Sequence, residues 1–153
     1  MKAPDFDYLL PASLDAALAM LAEHGGEAMP LAGGQSLMPM MNFRVAAPEV
    51  LIDLANLSEL RGISIEGDTI RIGAMTRYAE LMADADVQKH IPIFGLALPH
   101  IAHDAIRNRG TIGGSIALAD PAAEMPALLR ALNAIVEAEG PDGTRMINAD
   151  DFF

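Results

Sequence analysis

The chain has 153 residues, 52% of them hydrophobic and 20% charged, which makes it globular rather than disordered and long enough to bury a core. A net charge of −11 argues against nucleic acid and against an anionic membrane surface, and no apolar run approaches the ~18 residues a membrane helix needs. Cysteine is absent, so the chain holds no disulfide, no thiol nucleophile and no Fe–S cluster of its own.

Met1-Lys2-Ala3-Pro4-Asp5 meets acid and proline before any apolar run, which is not how a signal peptide begins, and a cytoplasmic location is expected. Phe6 to Leu10 reads as a short strand stopped by Pro11. Ser13 is placed to cap a helix whose Leu14, Ala17, Leu18 and Leu21 share one face, and Gly25-Gly26 ends it. Met29 to Ala32 reads as a buried strand that runs into Gly33-Gly34-Gln35-Ser36. Leu37 to Phe43 is expected to form one helical turn around Pro39, and Val50 to Leu54 another strand. Met38, Met40 and Met41 flank the glycine pair and either fill core or line a ligand.

The pattern changes near Leu57. Ile63 to Glu66, Gly67-Asp68 and Thr69 to Gly73 alternate as a β-hairpin does. Thr76 is expected to cap a helix from about Arg77 to Ala83, with Glu80 in its first turn, and Pro92 to Ile101 reads as a buried apolar helix. A second glycine stretch follows, Arg107-Asn108-Arg109-Gly110-Thr111-Ile112-Gly113-Gly114-Ser115. Ile116 to Ala119 is too short to assign, Pro121 to Leu132 reads as a helix, and Ala134 to Glu139 with Arg145 to Asn148 form a hairpin around Gly140-Pro141-Asp142-Gly143. Ala149 to Phe153 opens a new element, and its two phenylalanines read as groups awaiting a following segment.

The order is that of an α+β fold in two small lobes, residues 1–57 and 58–153. Paired glycines leave backbone N–H groups uncovered, so the two Gly-Gly stretches are either ordinary turns or loops that close on one anionic, phosphate-bearing ligand from two sides. Neither fits G-x-G-x-x-G, and neither carries the Gly-Lys-Ser/Thr of a P-loop. His100 and His103 stand three apart beside Asp104 and either ligate a metal or cap and pack; His24 and His90 sit in unrelated elements, so further ligands are not evident. Asp120 and Glu124 either cap a helix or accept hydrogen bonds from sugar hydroxyls. No Ser-His-Asp set has a nucleophile context.

Pro30-Leu31-Ala32-Gly33-Gly34-Gln35-Ser36-Leu37-Met38-Pro39-Met40-Met41-Asn42-Phe43-Arg44 resembles the first flavin-binding signature of the medium, FAD-binding subunit of molybdenum hydroxylases, the carbon-monoxide dehydrogenase and xanthine dehydrogenase family. Ile106 to Ser115, running on through Ala119-Asp120-Pro121-Ala122-Ala123-Glu124-Met125-Pro126-Ala127, resembles the second; Phe6-Asp7-Tyr8 and Ile72-Gly73-Ala74-Met75-Thr76 match the family's text as well. The resemblance implies a two-lobed FAD-binding domain of the p-cresol methylhydroxylase type with its C-terminal part missing. It implies that N–H groups of Ala32, Gly33, Gly34, Gln35 and Ser36 cradle the pyrophosphate, and that Thr111, Ile112, Gly113, Gly114 and Ser115 contact the ribityl and flavin side. Glu124 stands where the family places an acidic residue for a ribityl hydroxyl, with Asp120 the lesser candidate.

By the same resemblance the partners are an Fe–S small subunit and a molybdopterin large subunit, electrons reach the flavin from those clusters, and an external acceptor takes them. No residue of this chain then serves as catalytic acid or base. Family chains continue well beyond Phe153, so a chain ending there is expected to leave its aromatic end uncovered and to hold FAD weakly. The competing expectations are a non-catalytic module that pairs with partner subunits without flavin, and a stand-alone flavoprotein.

Overall fold

The computed structural model describes residues 2–153. β1 (Asp7–Leu9), β2 (Ala28–Leu31) and β3 (Val50–Asp53) form a parallel sheet in the order β1-β3-β2. Residue type sets that order. Val50, Leu51 and Ile52 are all buried, as the apolar central strand of a parallel sheet requires. β2 contains Pro30, which has no N–H for a ladder on its far side and so suits an edge. The expectation of a buried strand at Met29 to Ala32 is corrected on that ground: of β2 only Ala28 is buried, and Met29 is 39% exposed.

Between β1 and β2 runs α1 (Leu14–His24). Its cap forms as the sequence implies: the Ser13 hydroxyl accepts from the Ala16 N–H at 3.1 Å, and Gly25 takes φ 53° at the other end. The helix packs on β2 and β3, and Ala17, Ala28, Val50, Ile52 and Leu57 make a first buried cluster. α2 (Leu37–Asn42) links β2 to β3 and carries Pro39 in its first turn, where no intrahelical donor is lost.

A hairpin of β4 (Ile63–Glu66) and β5 (Thr69–Ile72) comes next, with Gly67 at φ 64° in its turn. Short helices follow: α3 (Tyr78–Ala83), α4 (Ala85–His90), α5 (Pro92–Ala97), α6 (Asp104–Arg107), α7 (Ile112–Leu118) and α8 (Glu124–Ala131). A second hairpin, β6 (Ile135–Gly140) and β7 (Gly143–Asn148), turns through Pro141-Asp142 and leads to α9 (Ala149–Phe152). Tyr78, Leu81, Val87, Phe94, Leu98, Ile112 and Met125 lie in a second buried cluster. Ile63 and Ile72 pack on it, whereas Leu60 still packs on the first.

Several boundaries depart from the expected ones. Arg77, not Thr76, caps α3: the Glu80 carboxylate accepts from the Arg77 N–H at 2.7 Å, while the Thr76 hydroxyl donates to the Gly62 carbonyl at 3.2 Å. α4 was not foreseen; Asp84 nucleates it by accepting from the Asp86 and Val87 N–H groups at 3.0 and 2.9 Å. The expected helix from Pro92 to Ile101 stops at Ala97 and tightens into a 3₁₀ turn, Leu98–His100, because Pro99 cannot donate into an α-helical ladder. It is buried only in part, with Leu96 75% exposed. The expected start of α8 at Pro121 moves to Glu124, since Asp120 holds the intervening turn through the Ala122 and Ala123 N–H groups at 2.9 and 3.0 Å. The terminal phenylalanines are not bare: both are half-buried, they meet edge to face at 5.1 Å, and Phe153 packs on the second cluster.

Replacing Ser13 with Ala removes the α1 cap and should cost about 1 kcal/mol. The urea midpoint should fall by the corresponding amount with unchanged helical circular dichroism; an unchanged midpoint would mean the cap carries no stability.

Candidate functional site

The site starts where β2 ends. The Leu31 carbonyl accepts from the Leu54 N–H at 3.0 Å, and the chain then leaves the sheet. Gly34 takes φ 69°, which a branched residue resists, and the Gln35 side-chain amide donates back to the Gly33 carbonyl at 2.8 Å to close the turn. α2 begins with Met38 N–H on the Gly34 carbonyl at 3.2 Å and Met40 N–H on the Ser36 carbonyl at 3.0 Å. The N–H groups of Gly33, Gly34, Gln35 and Ser36 find no acceptor among the described residues. Four consecutive uncommitted donors are what an anion nest requires.

The second glycine stretch is built differently. Gly113 and Gly114 lie in the first turn of α7, not in a loop, because the Thr111 hydroxyl caps that helix by accepting from the Gly114 N–H at 3.1 Å. The Ile112 N–H donates to the Thr76 carbonyl (3.0 Å), Gly113 to Ala74 (2.8 Å) and Ser115 to Thr111 (3.2 Å). The amides of Ile112 to Ser115 are therefore consumed inside the protein, and of the expected donors in this stretch only Thr111 N–H is left without an acceptor among the described residues. What the stretch does is dock. A Cβ on Gly33 would overlap the Arg109 carbonyl and sit 2.9 Å from the Gly110 Cα, so the two motifs touch backbone to backbone. Gly114 faces the Ala32 methyl, and a Cβ on Gly113 would come within 2.5 Å of the Ala74 methyl. Thr111 also bridges to Arg77 in an antiparallel pair, with Tyr78 N–H on the Gly110 carbonyl at 3.1 Å.

Between the motifs opens a cleft of about 400 Å³. Ala32, Gly33, Gly34, Gln35, Met38 and Pro39 form one wall and Arg77, Arg109 and Thr111 another, with Asp53 and Arg61 at the side. Ser36 adjoins the wall without lining it, and Ile112, Gly113, Gly114 and Ser115 in α7 and Glu124 at the start of α8 do not line the cleft of this ligand-free chain. Ser115 and Glu124 instead bear on the Tyr78 phenol: burial pushes its pKa up, the Ser115 hydroxyl pulls it back, and the Glu124 charge adds to the rise. Of the three methionines, Met38 lines the cleft, Met41 is fully buried and Met40 is half-buried. His103 precedes α6 and His100 closes the 3₁₀ turn; no group of three or more His, Asp or Glu that could hold a metal occurs among the described residues.

The two arginines of the second motif divide their work. Arg107 is a clamp: its Nη1 donates to the Pro99, Ile101 and Ala102 carbonyls at 3.2, 2.8 and 3.0 Å, and its Nη2 pairs with Asp104. Arg109 reaches the cleft and, like Arg77, forms no ion pair among the described residues. Three arginines and one aspartate thus line a cleft in a chain whose net charge is −11, with the Arg61 guanidinium donating to the Ala55 carbonyl at 2.8 Å. Arg61, Arg77 and Asp53 were missed in the sequence; only Asp53 had a signal, since ligands of parallel sheets bind beyond the carboxyl ends of the strands.

Fold and cleft together define an α+β domain with an arginine-lined groove between two backbone motifs. Residues 4–153 match the family described as the FAD binding domain in molybdopterin dehydrogenase. Over 147 residues the chain is 47% identical to the 6-hydroxypseudooxynicotine dehydrogenase complex subunit alpha of Paenarthrobacter nicotinovorans, covering 96% of this chain and 50% of that one. It is 47% identical over 153 residues to the carbon monoxide dehydrogenase medium chain of Hydrogenophaga pseudoflava, covering 100% and 53%. The solved structure of the carbon monoxide dehydrogenase of Hydrogenophaga pseudoflava superposes with a TM-score of 0.96 at 47% identity, over 98% of this chain and 52% of that chain. The chain belongs to this family of FAD-binding domains, and it spans about half the length of the curated relatives it matches. Among the described residues no helix is long and apolar enough to cross a membrane.

Arg107→Ala should strand three carbonyls and destabilise the fold by about 1–3 kcal/mol, whereas Arg109→Ala should stay within about 0.5 kcal/mol of the parent. Urea unfolding of both variants checks this; equal losses would contradict the division of roles.

Proposed function

We propose that the cleft is the FAD site and that this chain is the flavin-binding portion of an oxidoreductase subunit in a cytoplasmic molybdenum hydroxylase complex. The observation that carries the reading is the arginine-lined cleft: uncommitted amides of Gly33 to Ser36 on one side, and on the other Arg77 and Arg109, neither of which forms an ion pair among the described residues. That donor set suits a pyrophosphate, whose oxygens take hydrogen bonds from backbone N–H groups and guanidinium forks without needing lysine. The shape test points the same way, because any side chain at Gly33 would fill the junction on which the cradle stands.

In this reading Ala32, Gly33, Gly34, Gln35 and Ser36 hold the pyrophosphate with Arg77 and Arg109, and Thr111 adds its N–H across the cleft. Ile112, Gly113, Gly114 and Ser115 support the far side through the packing of α7, and Glu124 reaches a cofactor hydroxyl from the start of α8. The lobes are residues 1–57 and 58–153, a division supported by the two buried clusters. When bound, FAD supplies the redox chemistry that links Fe–S clusters of a small subunit, fed by a molybdopterin large subunit, to an external acceptor. The chain's own residues bind and orient it; none is needed as a proton donor or acceptor toward substrate.

Titration of the chain with FAD, followed by flavin fluorescence, tests this. Binding should weaken with added salt, and Arg77→Ala and Arg109→Ala should each raise Kd about tenfold, the scale of a lost charge-assisted hydrogen bond. Absence of FAD binding, or affinity indifferent to both arginines, would overturn the assignment.

A further inference from the structure

Asp53 is the one carboxylate lining a cleft that also holds Arg61, Arg77 and Arg109, yet it makes no ion pair with any of them. It stands at the carboxyl end of the central strand β3, in register with Leu31, so its side chain lies where the glycine turn leaves β2. Each of its oxygens is anchored: Oδ1 accepts from the Ala55 N–H at 2.7 Å, and Oδ2 accepts from the Tyr8 hydroxyl. A carboxylate offers about four acceptor positions, so two remain after these anchors.

We propose that Asp53 reads the ribose of the bound dinucleotide, accepting hydrogen bonds from its hydroxyls while the diphosphate lies against the arginines. The inference rests on the cleft being the FAD site and adds the group that selects the sugar. The chemistry of the carboxylate supports it. A fixed acceptor-only group favours a partner that brings O–H donors and repels one that brings a phosphate. Tyr8 holds the acceptor in place: its hydroxyl donates to Asp53, and that hydrogen bond, with desolvation and the carboxylate charge adding, raises the phenol pKa. The diol donors can come from the adenosine ribose or from the ribityl chain of FAD. ADP contains only the first and separates the two.

The experiment is calorimetric titration of the 153-residue chain with FAD, ADP, 2′-deoxy-ADP, 3′-deoxy-ADP and 2′-phospho-ADP, with the same ligands on Asp53→Asn. The parent should bind ADP roughly tenfold or more tightly than at least one deoxy analogue, the scale of a hydrogen bond to a charged group. It should reject the 2′-phosphate. Asp53→Asn should lose a comparable factor for ADP, show no preference between ADP and that deoxy analogue, and gain tolerance for the 2′-phosphate. The parent's own preference needs no variant, so a parent that binds ADP and deoxy-ADP alike overturns the proposal even if Asp53→Asn fails to fold. Equal losses for ADP and deoxy-ADP in a folded variant also overturn it, leaving Asp53 a strut for the turn. FAD bound without ADP overturns the ribose assignment while the FAD site stands; neither ligand bound overturns both.

Discussion

The structure depends on one contact: the backbone of Gly33 against the backbone of Arg109 and Gly110. Two segments far apart in sequence meet there with no side chain between them. Everything that makes the cleft follows from that approach. It places the uncommitted amides of the first motif in the same cleft as Arg77 and Arg109, and it brings Gly114 onto Ala32. Only glycine permits it, because the junction leaves no volume for a Cβ.

The two motifs look alike in sequence and do opposite things. In the first, the glycines leave N–H groups free after an edge strand ends. In the second, the glycines bring a helix turn close to Ala74 and Ala32 while every amide from Ile112 to Ser115 is donated within the protein. One motif supplies donors and the other supplies the frame. The arginines divide in the same way, with Arg107 satisfying three carbonyls while Arg109 lines the cleft and forms no ion pair among the described residues. An acidic chain can therefore still carry an arginine-lined groove, since a groove's field depends on the few charges that line it rather than on the sum over the surface.

Much of the fold was legible because it rests on local chemistry. Ser13 announced α1, Gly67-Asp68 announced the β4–β5 hairpin, and the apolar run at Val50 announced the central strand. The failures share a cause, which is that partners distant in sequence decided the outcome. Thr76 looks like a cap but its hydroxyl turns to Gly62, and Gly113-Gly114 looks like a loop until Thr111 closes the helix over it. The first half of the cleft was readable as a glycine pair after a strand. Arg61 and Arg77 were not, because nothing in their own neighbourhoods indicates that the chain folds them toward Gly34. Local patterns identify elements; which side chains converge is a property of the assembled chain.

The central claim is that the first motif lends its amides to the cofactor while the second has already used its own. Backbone ¹H–¹⁵N correlation spectra of the labelled chain, recorded with and without FAD, test it residue by residue. The account predicts large shifts for Gly33, Gly34, Gln35 and Ser36, a shift at Thr111, and only small ones at Gly113 and Gly114. Large shifts at Gly113 and Gly114 with Gly33 to Ser36 unmoved would contradict it.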